Sequence, residues 1–498
     1  MRAYFIVILF LIFLPIAGSA HVNSPDVYYD GNAGPYHLLV TVRPPAVVPG
    51  VAQIDIRSAG DVDEIEVLPV KMVGAPANLA PAPDIAERSA TDPQLFHGKL
   101  WIMTRGSWKV QVRAKGKQGA GEMGVPLPAV STHSATMQTG LGALLSVLGI
   151  VLLAGIVGII GAANRDAGLE PGQEATPAQA KRAYFRMAAA ALVLIAVVIG
   201  GGYWWSAEAA NNAKLNYRLP QAQASLQPGN VLRLELDNPN TVENMFNAGM
   251  VARFKSLGIK VPDAFRLDDL IPDHGHLLHL FLVRTADMKS FWHLHPEQAG
   301  TGEFTAKLPS LPAGRYQIYA DIVHDTGFPE TQVGVIDLPA IAGDPLRGDD
   351  SGAADFSTTD NVAQLPDGSR MVWERGSQPL HAEDAFWFRF RVEDKDGKPA
   401  PDLEPYMGMA GHAVFISNDG KIFAHVHPAG SVAMAAVDLA DNQGQPQKHE
   451  MAGMNSAPMS GEVSFPYGFP QNGDYRIFVQ IKRGGHVETG EFSAHVGP

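Results

Sequence analysis

The chain has 498 residues, 46% of them hydrophobic and 18% charged, with a formal net charge of −13. That acidic balance, without any basic patch, argues against nucleic acid as a partner. There is no cysteine, which excludes disulfides, thiolate metal sites, iron–sulfur clusters and a bacterial lipoprotein anchor, so any metal site must use His, Met, Asp or Glu.

In chain order, the first element predicted is an export signal over residues 1–20. Arg2 gives the charged start, Tyr4 to Leu14 the apolar run, and Ala17-Gly18-Ser19-Ala20 a small-residue cleavage site. Cleavage after Ala20 would leave His21 as the first residue. Its amine and imidazole could then chelate one Cu(II), with His37 or His97 as the partner imidazole.

Residues 21–137 carry strand signals. Tyr36 to Val42 is an apolar run ending near Pro44-Pro45, Val51 to Ile56 alternates, and Lys109 to Arg113 follows Gly106-Ser107-Trp108 with period two. A small β-sandwich is expected. Glycine (51) and proline (37) are plentiful along the whole chain, as suits many short strands joined by turns.

Residues 138–205 hold two stretches long enough to span a bilayer, Leu141 to Ala163 and Met187 to Trp205; the second ends in Trp204 and Trp205, which suit an interfacial belt. Arg165, Lys181, Arg182 and Arg186 lie between them, whereas the outer flanks Ser131 to Gly140 and Ser206 to Asn212 contain no Lys or Arg. The positive-inside rule then places the connecting loop in the cytoplasm and both large segments outside, and the signal independently requires the same of the first segment. The expected location is the inner or plasma membrane, multi-pass, with the bilayer as a partner.

The C-terminal part contains an internal repeat. His279 to Pro296 matches His412 to Pro428, and Leu311 to Ile322 matches Phe469 to Ile481. We expect one His-rich β domain over 206–340 and a His/Met-rich one over 360–498, with a Gly/Asp/Ser/Ala-rich linker between. The fold class expected is mainly β: three extracytoplasmic Ig-like sandwiches with a two-helix transmembrane hairpin between the first and second.

Five of the 17 histidines (His274, His276, His279, His293 and His295) crowd one short stretch. In a strand, residues two apart share a face. His293-x-His295 and His425-x-His427 should each present two imidazoles side by side, and a hairpin should bring His279 and His412 back beside them. Three residues before these stand His276 in one copy and Met409 in the other. Met407, Met451, Met454 and Met459 crowd the second copy, with His449 among them. His324 and His486, near the following turn, complete the candidate ligands. Thioethers favour cuprous ion, and imidazole suits Cu(II), Zn and Ni. A His/Met set without cysteine, outside the cytoplasm, therefore predicts copper, with zinc as the alternative.

The N-terminal unit, through Tyr36-His37-Leu38-Leu39-Val40 and Gly106-Ser107-Trp108-Lys109-Val110, resembles the YtkA-like domain. Its start at His21 resembles CopC-type periplasmic copper carriers. The tandem of His-x-His-Pro units is similar to domains of bacterial membrane and secreted proteins linked to metal handling. These resemblances imply a membrane-anchored extracytoplasmic copper-binding protein serving delivery, buffering or resistance, with another membrane or periplasmic copper protein as partner. No Ser/His/Asp set, phosphate-binding loop or paired carboxylate suggests an enzyme. A non-metal interaction module is the alternative, followed by a copper-dependent oxidase or oxygenase using His21.

Overall fold

In the computed structural model the described residues are 26–72, 81–170, 172–245, 248–258, 265–441, 459 and 461–498. The expected signal, His21, His449, Met451 and Met454 lie outside them. The protein is mainly β, in several sheets, with two long apolar helices.

The N-terminal unit is two antiparallel sheets face to face. One has the order Val27–Ala33, Tyr36–Arg43, Gly50–Ser58, Leu95–Ile102, Glu87–Arg88; the other runs Asp84–Ile85, Glu64–Lys71, Gly106–Gly116, Gly119–Ala129. Alternate side chains of both sheets, among them Val40, Ile54, Ile56, Val67, Val110 and Val125, form one core. The period-two stretches of the sequence are thus half-buried strands, as expected.

The helices Thr139–Asp166 and Pro177–Ala213 are long and apolar enough to cross a membrane, and their apolar surface is almost wholly uncovered by protein. They extend beyond the apolar runs that mark them in the sequence. The second begins at Pro177 because Thr176 and Gln179 form a reciprocal capping box with proline in the first turn, and it continues past Trp205 through Ser206–Ala213. At 1.5 Å rise per residue, its 37 residues reach about 55 Å, so its polar ends project past any bilayer core.

The first repeat is built on one ten-stranded sheet whose two halves enclose a core of Leu232, Leu234, Leu280, Leu282, Trp292 and Tyr316. The segment expected to be a linker supplies two strands. Ser351–Ala353 pairs with Phe291–Leu294 of the first repeat, and Ser357–Thr359 opens a sheet of the second. The second repeat has two sheets around an aromatic-rich core including Phe388, Phe390, Phe415, Phe465 and Phe492.

Equivalent strands of the two repeats pack against each other. In the first, His279–Arg284 lies between Phe291–Leu294 and Gly314–His324; in the second, His412–Ser417 lies between Phe423–Val426 and Gly473–Arg483. Both faces of these strands are buried. Leu280 and Leu282 face their own core, while Phe281, Val283, Phe291 and Tyr319 meet Val414, Ile416, Phe423 and Phe478. The contacts come in exchange-related pairs. Phe291 stacks on Phe478 at 4.3 Å, and Tyr319 on Phe423, also at 4.3 Å, with the rings nearly parallel. These are quasi-equivalent residues, so the duplicated domains meet about an approximate two-fold, as isologous subunits do.

Past His427, the chain binds the N-terminal unit to this assembly. The Asp30 amide donates to the Ala429 carbonyl (2.8 Å), Ser431 accepts from the Tyr28 amide (3.1 Å), and the helix Met434–Asp441 rests on the unit's core through Val437. We predict that Phe478→Ala, which removes a stacked ring from the inter-repeat face, lowers stability by about 3 to 5 kcal/mol, measured by denaturant unfolding of the full chain in detergent.

Candidate metal centre

Two equivalent turns carry the first ligands. Asp273 and His276 exchange backbone hydrogen bonds around His274-Gly275, as Tyr406 and Met409 do around Met407-Gly408. The central pairs have φ of 51° and 87°, and 48° and 80°. Two successive positive φ values define the turn that joins strands with the right twist, and glycine supplies the second at no steric cost. His274 and Met407 take the first, held there by the two backbone hydrogen bonds that close each turn.

Each turn leads into a histidine strand. Phe281 is the direct ladder partner of His293, which sets His279 across from His295 with ring centroids 5.1 Å apart. In the second repeat Val414 pairs with His425, and His412 lies 5.0 Å from His427. The expected hairpins are therefore present. The face-to-face packing then merges them: His279 and His293 lie 5.4 and 5.6 Å from His425, and His274 of the first repeat sits 5.0 and 4.9 Å from His412 and His427 of the second. His276 stacks on His295 at 3.9 Å.

Among the described residues two groups of three could hold an ion, His279/His293/His295 within the first repeat and His274/His412/His427 across the interface, each with ligand atoms within 4.8 Å of one another. His274 is not among the ligands expected from the sequence, because its histidine neighbours, His412 and His427, belong to the other repeat. Its signal was its place beside Gly275 in a turn entering the His strand.

The outer hydrogen bonds orient the rings. His427 Nδ1 donates to the Val432 carbonyl (2.9 Å), His295 Nδ1 to Asp350 (3.0 Å), His293 Nδ1 to the Gln480 amide oxygen (3.0 Å), and His279 Nε2 to the Asp273 carbonyl (3.1 Å). His425 Nδ1 faces Asp321 at 3.5 Å. Gln480 and Asp321 are exchange-related, each being the ladder partner of its own repeat's first histidine, His412 or His279. A neutral imidazole has one N–H, so anchoring it outward leaves a bare lone pair facing in. The inward nitrogens of His279 and His293 are 3.1 Å apart, close to the roughly 3.3 Å separating two nitrogens bound to one tetrahedral ion at 2.0–2.1 Å. The Nε2 atoms of His274, His295, His425 and His427 and both nitrogens of His412 are buried without a hydrogen-bond partner.

Burial, reinforced by the neighbouring imidazoles, holds the pKa of His279, His293, His412, His425 and His427 well below the ordinary 6.5. Burial also raises Asp321 to about 7. The rings are neutral at physiological pH, the form that binds metal.

A cavity of about 640 Å³ reaches this cluster from the N-terminal unit. Its walls include Pro45 and Pro128 of that unit, Tyr217 just after the second long helix, and His279, His425 and His427.

The remaining candidates are placed elsewhere or differently. His324 is fully buried between Asp269 (2.8 Å) and Glu330 (3.3 Å), outside the two groups of potential metal ligands. Burial alone would lower its pKa, but the two carboxylates outweigh that and raise it to about 9. It is a buried ion pair, structurally equivalent to Arg483 by the pairing of Leu270 and Leu403. His486 is exposed at a hairpin turn, opposite Arg483. Met407 and Met409 are buried in the second turn, and Met459 forms a bridge with Leu403. His37 and His97 are tied to Asp30 (2.9 Å) and Asp55 (2.7 Å).

A protein-family model described as a domain of unknown function (DUF8832) matches residues 237–335 and 363–497, a little under half of the chain and both halves of the tandem. No curated protein matches. Among solved structures, a tetra-tandem repeat from the extending region of a large adhesion protein is 6% identical, with 90% of this chain and 71% of that one covered and a TM-score of 0.16. Native Escherichia coli alpha-2-macroglobulin is 9% identical over 95% of this chain and 23% of its own (TM-score 0.21), and latent PorU of Porphyromonas gingivalis 8% over 90% and 32% (TM-score 0.14). This chain spans less than a third of either of these last two. None of these likenesses bears on its function.

Two pH limits follow. Histidines whose folded pKa is depressed stabilise the fold above 6.5, and that stability is lost as pH falls below it, because the unfolded chain takes up protons first. Metal-free protein should lose stability from about pH 6.5 downward, with more than one proton taken up on unfolding. His324, raised in the fold, contributes fully below 6.5 and loses its contribution as pH climbs through about 9. His324→Gln should abolish that alkaline limb and cost about 3 kcal/mol at neutral pH, both read from unfolding curves across pH.

Proposed function

We propose that the protein is a membrane-anchored extracytoplasmic metal-binding protein, with copper as its ion and delivery, buffering or resistance as its role; zinc is the second choice. The observation that carries the reading is the cluster of inward lone pairs: outer acceptors fix the N–H of His279, His293, His295 and His427, leaving the opposite nitrogens turned into the buried histidine cluster. Such an arrangement is costly when empty and favourable around a cation.

Copper is preferred because the donors are imidazoles and buried thioethers without thiolate. The extracytoplasmic placement rests on the signal-like residues 1–20 and the Lys/Arg bias of the loop between the helices. Three Ig-like units with the hairpin between the first and second fit the sheet pairs and the two helices, and the YtkA-like and CopC-like resemblance of the first unit fits a carrier that passes copper to another membrane or periplasmic protein.

The test is metal titration of the full chain in detergent, followed by elemental analysis. About two copper ions per chain are expected. The double variant His293→Ala/His295→Ala should lose about one, and His274→Ala should weaken the other at least tenfold. Absence of bound metal at micromolar copper, with the circular dichroism unchanged, would refute the reading.

A further inference from the structure

The two turns that precede the histidine strands differ in one respect. The first presents His274 and His276, the second Met407 and Met409, at matched positions with matched backbone conformation. In the first turn the two side chains diverge. His276 stays with its own repeat, stacked on His295. His274 crosses the interface to His412 and His427.

The second turn also reaches across the interface. Tyr406 donates from its hydroxyl to the Asp349 carbonyl (2.8 Å) and lies 3.4 Å from His293, both in or beside the first repeat. Asp349 in turn flanks His276 at 3.5 Å. On the other side, Asp273 of the first turn accepts from the Ala435 amide beyond the second repeat's His pair. The reciprocal stacks Phe291–Phe478 and Phe423–Tyr319 and the reciprocal anchors His293–Gln480 and His425–Asp321 show that exchange of the repeats holds at the ligand layer itself. Met407 and Met409 are both buried, at 8% exposure.

We infer that the protein has two soft-metal centres of like composition, each completed by a methionine: His276, His279 and His295 with Met407 reaching across, and His274, His412 and His427 with Met409 from its own turn. In each centre one turn residue comes from the same repeat and one from the other. Because one turn is all histidine and the other all methionine, each centre receives one imidazole and one thioether in addition to its own strand pair. Three imidazoles and a thioether are a donor set for copper, and the thioether favours the cuprous state. His293 also lies within ligand reach of His279 and His295, and His425 holds the matching place beside His412 and His427, so each centre has a further imidazole at hand.

This rests on the metal-binding reading above, and the test separates the two. Full-length protein in detergent is loaded with Cu(I) under reductant and examined by X-ray absorption at the copper edge and by competition with a Cu(I) chelator. The wild type should show about one sulfur per copper. Met407→Leu and Met409→Leu, close to the original side chain in volume, should each remove about half of the sulfur signal and weaken one of two sites about tenfold. The double variant should remove it all and still take up Zn(II) with wild-type stoichiometry. Bound copper with nitrogen ligands alone in the wild type would overturn this assignment and leave the metal-binding reading intact. Failure of the folded wild type to bind copper or zinc would overturn both.

Discussion

Imidazole lone pairs that face one another in a buried interface set the terms for the rest of this structure. His279, His293, His295 and His427 have their N–H committed outward, to a carbonyl, a carboxylate or an amide, which leaves their other nitrogens bare toward the cluster. With the N–H of both rings turned outward, His279 Nδ1 and His293 Nε2 meet at 3.1 Å as two lone pairs, which repel. Protonating one ring would relieve that repulsion only by placing a charge where burial opposes it. A cation satisfies both demands at once, which is why outer-shell acceptors are as informative here as the ligands.

The duplication makes such an interface affordable in folding terms because ordinary packing carries it. The stacked pairs Phe291–Phe478 and Tyr319–Phe423 lie beside the histidines on the same strand faces. Residues two apart on one strand share a face, so Phe281 packs beside His279 and Phe423 beside His425. The aromatic layer holds the sheets at a set distance, and the polar layer inherits that spacing.

Much of this was legible in the sequence. The repeat, the hairpins that bring His279 and His412 beside the His-x-His pairs, the period-two strands of the N-terminal unit and the two membrane-length helices all follow from local pattern, and the structure bears them out. What local pattern could not convey was the relation between the repeats. Strands such as His279–Arg284 are buried on both faces, so the usual apolar/polar alternation that would reveal a partner surface is missing. His274 was therefore passed over, since its partners lie more than a hundred residues away. His324 was grouped with the ligands because it is a histidine near the right turn, yet its neighbours Asp269 and Glu330 turn it into one half of an ion pair. The linker between the repeats contains strands because Ser351–Ala353 finds an open edge on Phe291–Leu294, a tertiary opportunity that a Gly- and Ser-rich composition conceals.

The turn after His427 has a mechanical meaning. His427 and Gly430 close that turn with two backbone hydrogen bonds, and the residue between them, Ala429, already accepts from the edge strand of the N-terminal unit. One of the clustered histidines is thus about two residues from the seam that docks the first unit, and the chain that leads from that unit into the long helices lines, at Val130 and His133, the cavity that reaches this cluster. A shift of His427 by a fraction of an ångström would therefore be passed straight to the backbone hydrogen bonds of that seam, so the geometry of the histidine cluster and the docking of the first unit are set together.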